Sequence, residues 1–168
     1  MEPRTQIFEN ELRISQEFTA KPEAVFDCWF EACKVFDAWC HTDCESVRVE
    51  IEPHAGGTYK RFLDFGDPAK PCCCKTFVEF DPACRIVYEG NSFARSDFLQ
   101  RVSVDFELTN NTGTLVTITQ IGASPSDKLQ DAMFGRTSVL ICTEDYDLKT
   151  NRDAWLAVFD RLEALLQT

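Results

Sequence analysis

The chain's nine cysteines and two histidines are the side chains with the most chemistry to offer. The run "CWFEACKVFDAWCHTDC" gathers Cys28, Cys33, Cys40, His41 and Cys44, and "PCCCK" adds Cys72, Cys73 and Cys74. Four thiolate or imidazole ligands can hold structural zinc tetrahedrally, most often from short two-cysteine knuckles. Here four residues separate Cys28 from Cys33, six separate Cys33 from Cys40, and three separate Cys40 from Cys44, which gives no pair of clean knuckles. Neighbouring cysteines on a strand would point to opposite faces. The odd count, with no export signal, also argues against a disulfide framework. Free cysteine packs as a small hydrophobe, so the cluster reads chiefly as core and wall. No metal, cofactor or disulfide is expected. A site on Cys40, His41 and Cys44, or a redox role for an exposed thiol, is the minor alternative.

Other catalytic constellations are weaker still. His54 falls in the turn "PHAGG", a place for a solvated imidazole. No Ser-His-Asp or Cys-His-Asn order stands out that the expected topology would bring together. Asp27, Glu31 and Asp37 fall by helical spacing on exposed faces, which suits solubility better than paired acid and base carboxylates. No catalytic residue is assigned.

The formal charge of −11, from 17 Lys+Arg against 28 Asp+Glu, narrows the partners. Nucleic-acid binders carry basic stripes, and anionic membranes attract basic clusters. Neither pattern is present, so neither partner is expected. At 168 residues and 44% hydrophobic, the chain suits one domain over 1–168 with a full core. "MEPRTQIFEN" lacks the apolar and basic regions of a secretory signal, and no run approaches the ~20 apolar residues of a membrane span. A cytoplasmic protein is expected.

The elements that must position any site follow from periodicity. "ELRISQEF" alternates as a half-buried strand, with Leu12, Ile14 and Phe18 on one face. "TAKPEAVFDCWF" places Pro22 in a first helical turn, and Cys33, Phe36 and Cys40 suggest a second short helix from Ala32 to Trp39. Six strands follow in "SVRVEIEP", "TYKRFLDF", "CCCKTFVEF", "RIVYEG", "FLQRVSVDFEL" and "TLVTITQIG", joined by short turns such as "HAGG" and "DPAC". Within 123–150, "SPSDKLQDAMFG" offers Ser124 as an N-cap with Pro125 at the first helical position, whereas "TSVLICTEDYDLKT" shows no clear period. "NRDAWLAVFDRLEALLQT" closes the chain as an amphipathic helix, with Asn151 as cap and Trp155, Val158, Phe159, Leu162, Leu165 and Leu166 on its apolar stripe. An antiparallel meander can bury one face against that helix.

In this order, "AKPEAVFDCWF", Trp39, "EPHAGGTYKRF", "EFDPACRIVYEG", "GTLVTITQIG" and "DAWLAVFDRLEALL" resemble the activator-of-heat-shock-protein-90-ATPase-like branch of the START-like (SRPBCC) superfamily. The resemblance covers roughly residues 11–122 and 151–167. It implies an α+β helix-grip fold: a curved seven-stranded antiparallel sheet around a long C-terminal helix, with two short helices after the first strand. Residues 123–150 would then be a family-variable insertion. The family's Gly-Gly turn falls on Gly56 and Gly57, and its helix tryptophan on Trp155. Two departures matter. Trp39 is followed by Cys40 and His41 rather than Gly-Pro, and "TQIG" replaces a frequent "THSG", so no role passes to that histidine.

The resemblance also implies an apolar cavity between sheet and terminal helix. The aromatic residues expected to line it are Trp29, Phe36, Trp39, Tyr59, Phe77, Tyr88, Phe106, Trp155 and Phe159. The expected partner is a small hydrophobic molecule, with a homodimer left open. A cyclase- or hydrolase-type enzyme, or a co-chaperone stimulating a heat-shock ATPase, would be the rival functions.

Overall fold

Alternating apolar and polar residues dominate the chain from Glu11 onward, and they build one large antiparallel sheet. The structure is a computed structural model that describes residues 2–8, 11–39, 47–63, 73–92, 99–110, 112–121 and 148–168. Its strands are β1 (Arg4–Ile7), β2 (Glu11–Phe18), β3 (Val47–Ile51), β4 (Thr58–Leu63), β5 (Cys73–Asp81), β6 (Arg85–Ser92), β7 (Leu99–Leu108) and β8 (Thr114–Ile121). The helices are α1 (Pro22–Trp39) and α2 (Leu148–Leu166). Strand order is β1-β2-β8-β7-β6-β5-β4-β3. The six-strand meander thus closes on the first predicted strand, as the helix-grip reading requires.

Two details differ from expectation. The sheet has eight strands rather than seven, because Arg4–Ile7 adds an edge strand beside β2. All four of its residues are exposed, so it leaves no buried alternation to read. The two short helices are one continuous helix, α1. No glycine or proline interrupts "FEACK", and Lys34 Nζ pairs with Glu31 Oε2 at 2.6 Å across the expected break. Residues 123–147 of the expected insertion lie outside the described residues.

In β8, Thr114, Val116, Ile118 and Gln120 are buried while the residues between them are not. This alternation defines the helix-facing side of the sheet. The register extends it to Leu12 and Ile14 of β2, to Val102, Val104 and Phe106 of β7, and to Ile86 and Tyr88 of β6. Helix α2 lays Trp155, Val158, Phe159 and Leu162, all buried, onto this side and runs against α1. Asn151 is 1% exposed and already inside α2, so it is not the cap. The opposite side carries charge. Arg85 donates to Asp105 and to Glu79, while Arg101 donates to Glu89. The hydrogen bond to Asp105, reinforced by Glu79, raises the pKa of Arg85 and keeps it cationic.

Candidate functional site

The helix-facing side changes composition as it crosses the sheet. Over β2 and β8 it combines aliphatic Leu12, Ile14, Val116 and Ile118 with buried Gln16, Thr114 and Gln120, and α2 covers it with Trp155 and Phe159. The Trp155 indole Nε1–H donates to Gln120 Oε1 at 2.8 Å, which satisfies two polar groups in an apolar layer. The Phe159 ring stands edge-on to Phe18, with centroids 5.6 Å apart. Trp29 of α1 lies parallel to Trp155 at 6.3 Å and edge-on to Phe106 at 5.5 Å, so the two helices and β7 meet through three rings.

Over β6, β5 and β4 the surface becomes aromatic. Phe77 meets Tyr88 at 5.8 Å, Phe80 at 5.3 Å and Phe30 of α1 at 6.0 Å, all edge-on. A bulge in β5 between Phe77 and Glu79 makes this possible. Simple alternation would turn Phe80 away from Phe77; the extra residue brings both rings to the helix side and leaves Val78 exposed. Tyr59, half-buried on β4, stacks on Tyr88 at 6.3 Å.

Strand β4 is fixed here by the "HAGG" turn. Gly56 adopts φ +81°, a left-handed conformation that favours glycine. Its N–H donates to the Phe77 carbonyl at 2.8 Å, and the Phe77 N–H donates to the Gly57 carbonyl at 2.9 Å. The turn is therefore tied to the strand that carries the central aromatic. Glu52 closes it from the other side, accepting from the Thr58 hydroxyl at 2.6 Å and the Thr58 N–H at 3.1 Å. Those two hydrogen bonds, the hydroxyl's first, hold the Glu52 carboxyl below the usual range.

The structure thus brings seven of the nine expected lining residues to one side of the sheet: Trp29, Tyr59, Phe77, Tyr88, Phe106, Trp155 and Phe159. Phe36 and Trp39 belong to α1, and their side chains lie outside the described residues. Cys40, His41, Cys44 and Cys72 also lie outside them. Among the described residues, Cys28, Cys33, Cys74 and Cys84 are free thiols, and no group of three or more metal-ligating side chains forms. Cys33 is buried in the core, while Cys74 and Cys84 are exposed. His54 is exposed in its turn.

Sequence reasoning missed the polar members of this surface. Arg61 and Gln100 are each 3% exposed, and Lys75 is half-buried with Nζ 5.3 Å from the centroid of the Tyr88 ring. A signal was available. Arg61 lies two residues from Tyr59, Lys75 two before Phe77, and Gln100 two before Val102, so the same alternation turns each of them toward the helices.

No helix among the described residues is long and apolar enough to cross a membrane. No curated protein sequence matches this one. Among solved structures, the chain is similar to protein Ms6760 from Mycobacterium smegmatis, with TM-score 0.62 and 18% identity over 99% of this chain and 97% of that one. It is similar to protein CV1439 from Chromobacterium violaceum, with TM-score 0.58 and 18% identity over 96% of this chain and 99% of that one. It is also similar to an HSP90 activator from Plasmodium falciparum, with TM-score 0.50 and 16% identity over 88% and 96%. Identities this low speak for a shared fold. The sequence match is more specific: residues 19–167, from the entry to α1 to the end of α2, match the family described as Activator of Hsp90 ATPase homolog 1-like protein. A match across nearly the whole chain, on a helix-grip architecture, means that the chain belongs to the Activator of Hsp90 ATPase homolog 1-like family.

Proposed function

We propose that this protein binds a small hydrophobic molecule between the sheet and its helices, and that it acts by binding rather than by catalysis. The carrying observation is the aromatic surface of Tyr59, Phe77 and Tyr88, backed by Trp29, Phe106 and Trp155, with a few polar groups at its border. Apolar walls with sparse, well-placed polar groups are how proteins usually hold small ligands. Phe159 belongs in this reading to the packed contact between α2 and β2, because its fully buried ring is engaged by Phe18. The protein works in the cytoplasm.

The test is titration with the neutral fluorophore N-phenyl-1-naphthylamine. Saturable binding with quenching of tryptophan emission is expected, because the stacked Trp29 and Trp155 adjoin the aromatic surface. Binding should also raise the melting temperature, since a ligand that prefers the native state stabilises it by mass action. Absence of saturable binding would overturn the reading.

The family itself favours a second reading, stimulation of a heat-shock ATPase, which the HSP90 activator among the similar structures gives a concrete form. Adding the protein to an Hsp90 and measuring ATP turnover separates the two, since ligand binding alone predicts no stimulation.

A further inference from the structure

We propose that the ligand is an amphiphile with a carboxylate head, held by Arg61 and Lys75 at the β4–β5 end of the aromatic surface. The inference rests on the ligand-binding reading above and specifies the class of ligand.

The register places the relevant residues in one row. Tyr59 of β4 pairs with Lys75 of β5, Lys75 with Gly90 of β6, and Gly90 with Gln100 of β7. Neighbouring strands lie about 4.8 Å apart, so these four positions form a continuous line across the sheet. Arg61 follows Tyr59 by two residues and shares its face, diagonal to Lys75. Such diagonal positions are about 7–8 Å apart, within mutual reach of long side chains. The row adjoins the one containing Phe77 and Tyr88, which are themselves paired. A ligand lying over those rings would have its end at Lys75 and Arg61.

The middle of the row is bare. A Cβ on Gly90 would come within 2.2 Å of the Cys74 carbonyl oxygen and 2.7 Å of Lys75 Cα, so the backbone of β5 itself excludes a side chain there. Gly90 therefore leaves a low floor of backbone between Lys75 and Gln100. On either side stand an ammonium and an amide that can donate.

Charge selects the head group. The chain carries −11 overall, and on the outer side of the sheet Arg13, Arg48, Arg85 and Arg101 are each paired with carboxylates of the fold. Arg61 and Lys75 instead face the helices, where Arg61 is 3% exposed. A buried guanidinium is costly unless hydrogen-bonded to charge or dipole. Arg61 already interacts within the fold, but its buried Nε makes no hydrogen bond among the described residues, and the guanidinium fork matches a carboxylate's two oxygens. Lys75, on the ring of Tyr88, adds a second positive charge where the aromatic surface ends. A planar monoanion with an apolar body meets both features at once.

The test is displacement of N-phenyl-1-naphthylamine by dodecanoic acid, dodecan-1-ol and dodecyl phosphate, near pH ~8 so that the acid is ionised. Dodecanoate should bind about tenfold to a hundredfold more tightly than the alcohol, the range expected for charge-assisted hydrogen bonds. It should also bind more tightly than the phosphate. In Lys75→Met and in Arg61→Met the acid-to-alcohol ratio should collapse toward one, whereas Lys60→Met, on the outer side of the same strand, should keep it. Lys75 is only half-buried, so Lys75→Met remains informative if Arg61→Met fails to fold. Equal binding of acid and alcohol by the native protein would overturn this inference and leave the hydrophobic-ligand reading standing, as would a preference for the phosphate. If neither the fluorophore nor any of the three amphiphiles binds, both readings fall.

Discussion

The two halves of the helix-facing surface hold different chemistry. On β2 and β8 aliphatic Leu12, Ile14, Val116 and Ile118 lie beside three buried polar side chains held within the fold: Gln16 donates to Glu163, Thr114 donates to the Ala20 carbonyl, and Gln120 accepts from Trp155. On β6, β5 and β4 the rings of Tyr88, Phe77 and Tyr59 stand beside Lys75 and Arg61. Both halves are antiparallel and alternate, apart from the bulge in β5. They differ in what lies over them. α2 fits the first half closely enough to place Phe159 and Leu162 at 0% exposure. Tyr59 in the second half stays half-buried. A protein that must both fold and hold a ligand can separate these tasks along one sheet, with stability concentrated where the helix docks and recognition where it does not.

If that division is right, stability and binding should respond to different substitutions. The largest stability effect is expected from Phe159→Ala. Its ring is fully buried and engaged by Phe18, so truncation should cost about 3–5 kcal/mol in chemical denaturation, with little change in fluorophore affinity. A cost of only ~1–2 kcal/mol together with altered ligand preference would move the binding region under α2 and break the comparison.

Trp155→Phe probes the same half through its hydrogen bond. The ring is largely kept, but Gln120 Oε1 loses its donor at 1% exposure. A buried acceptor without its partner costs about 1–3 kcal/mol, so the melting temperature should fall measurably. An unchanged melting temperature would show that Gln120 finds water or another donor there.

Tyr59→Ala is the converse. The stacked pair is worth about 0.5–1.5 kcal/mol beyond the area that it buries, so truncating half-buried Tyr59 should cost less than Phe159→Ala, yet weaken fluorophore binding clearly. Binding unchanged in this variant, while Phe159→Ala weakens it, would reverse the assignment of the two halves.

How much of this was legible in the sequence depended on the physical signal each feature leaves. The inward face of β7 follows directly from alternation, because Val102, Val104 and Phe106 alternate with Arg101, Asp105 and Glu107. Leu108 is the exception: it shares the inward face but is 67% exposed at the strand end, beyond the helices. Continuity of α1 was missed because the spacing of Cys33, Phe36 and Cys40 suits a separate short helix as well as the second half of a long one, although no helix-breaking residue immediately precedes it. The β5 bulge leaves no compositional mark in "KTFVEF", so the pairing of Phe80 with Phe77 on one face was invisible. Arg61 and Lys75 were legible by alternation, two residues from Tyr59 and Phe77, but were not among the expected site residues. The long side chains of arginine and lysine can lie along apolar surface, so hydropathy is a poor guide to their direction.

The smallest expected effect concerns acid, and it tests whether the second half depends on its turn. The Thr58 hydroxyl and N–H hold the Glu52 carboxyl below its ordinary value. A carboxyl whose folded pKa is depressed contributes stability that is fully present above its unfolded pKa and is lost as pH falls through the folded value. The window therefore lies below the usual glutamate range, not near neutrality. Within it, protonated Glu52 should release Thr58, and the Gly56 amide bonded to the Phe77 carbonyl should lose protection relative to its intrinsic exchange rate at that pH. Glu52→Gln should remove the pH dependence of that protection, because the side-chain amide does not titrate. The indole N–H of Trp155, in the other half, has no tie to this turn and should keep its protection through the same window. Parallel loss of protection at Gly56 and Trp155 would mean that the sheet opens as one unit, and the two halves would then differ in chemistry but not in stability.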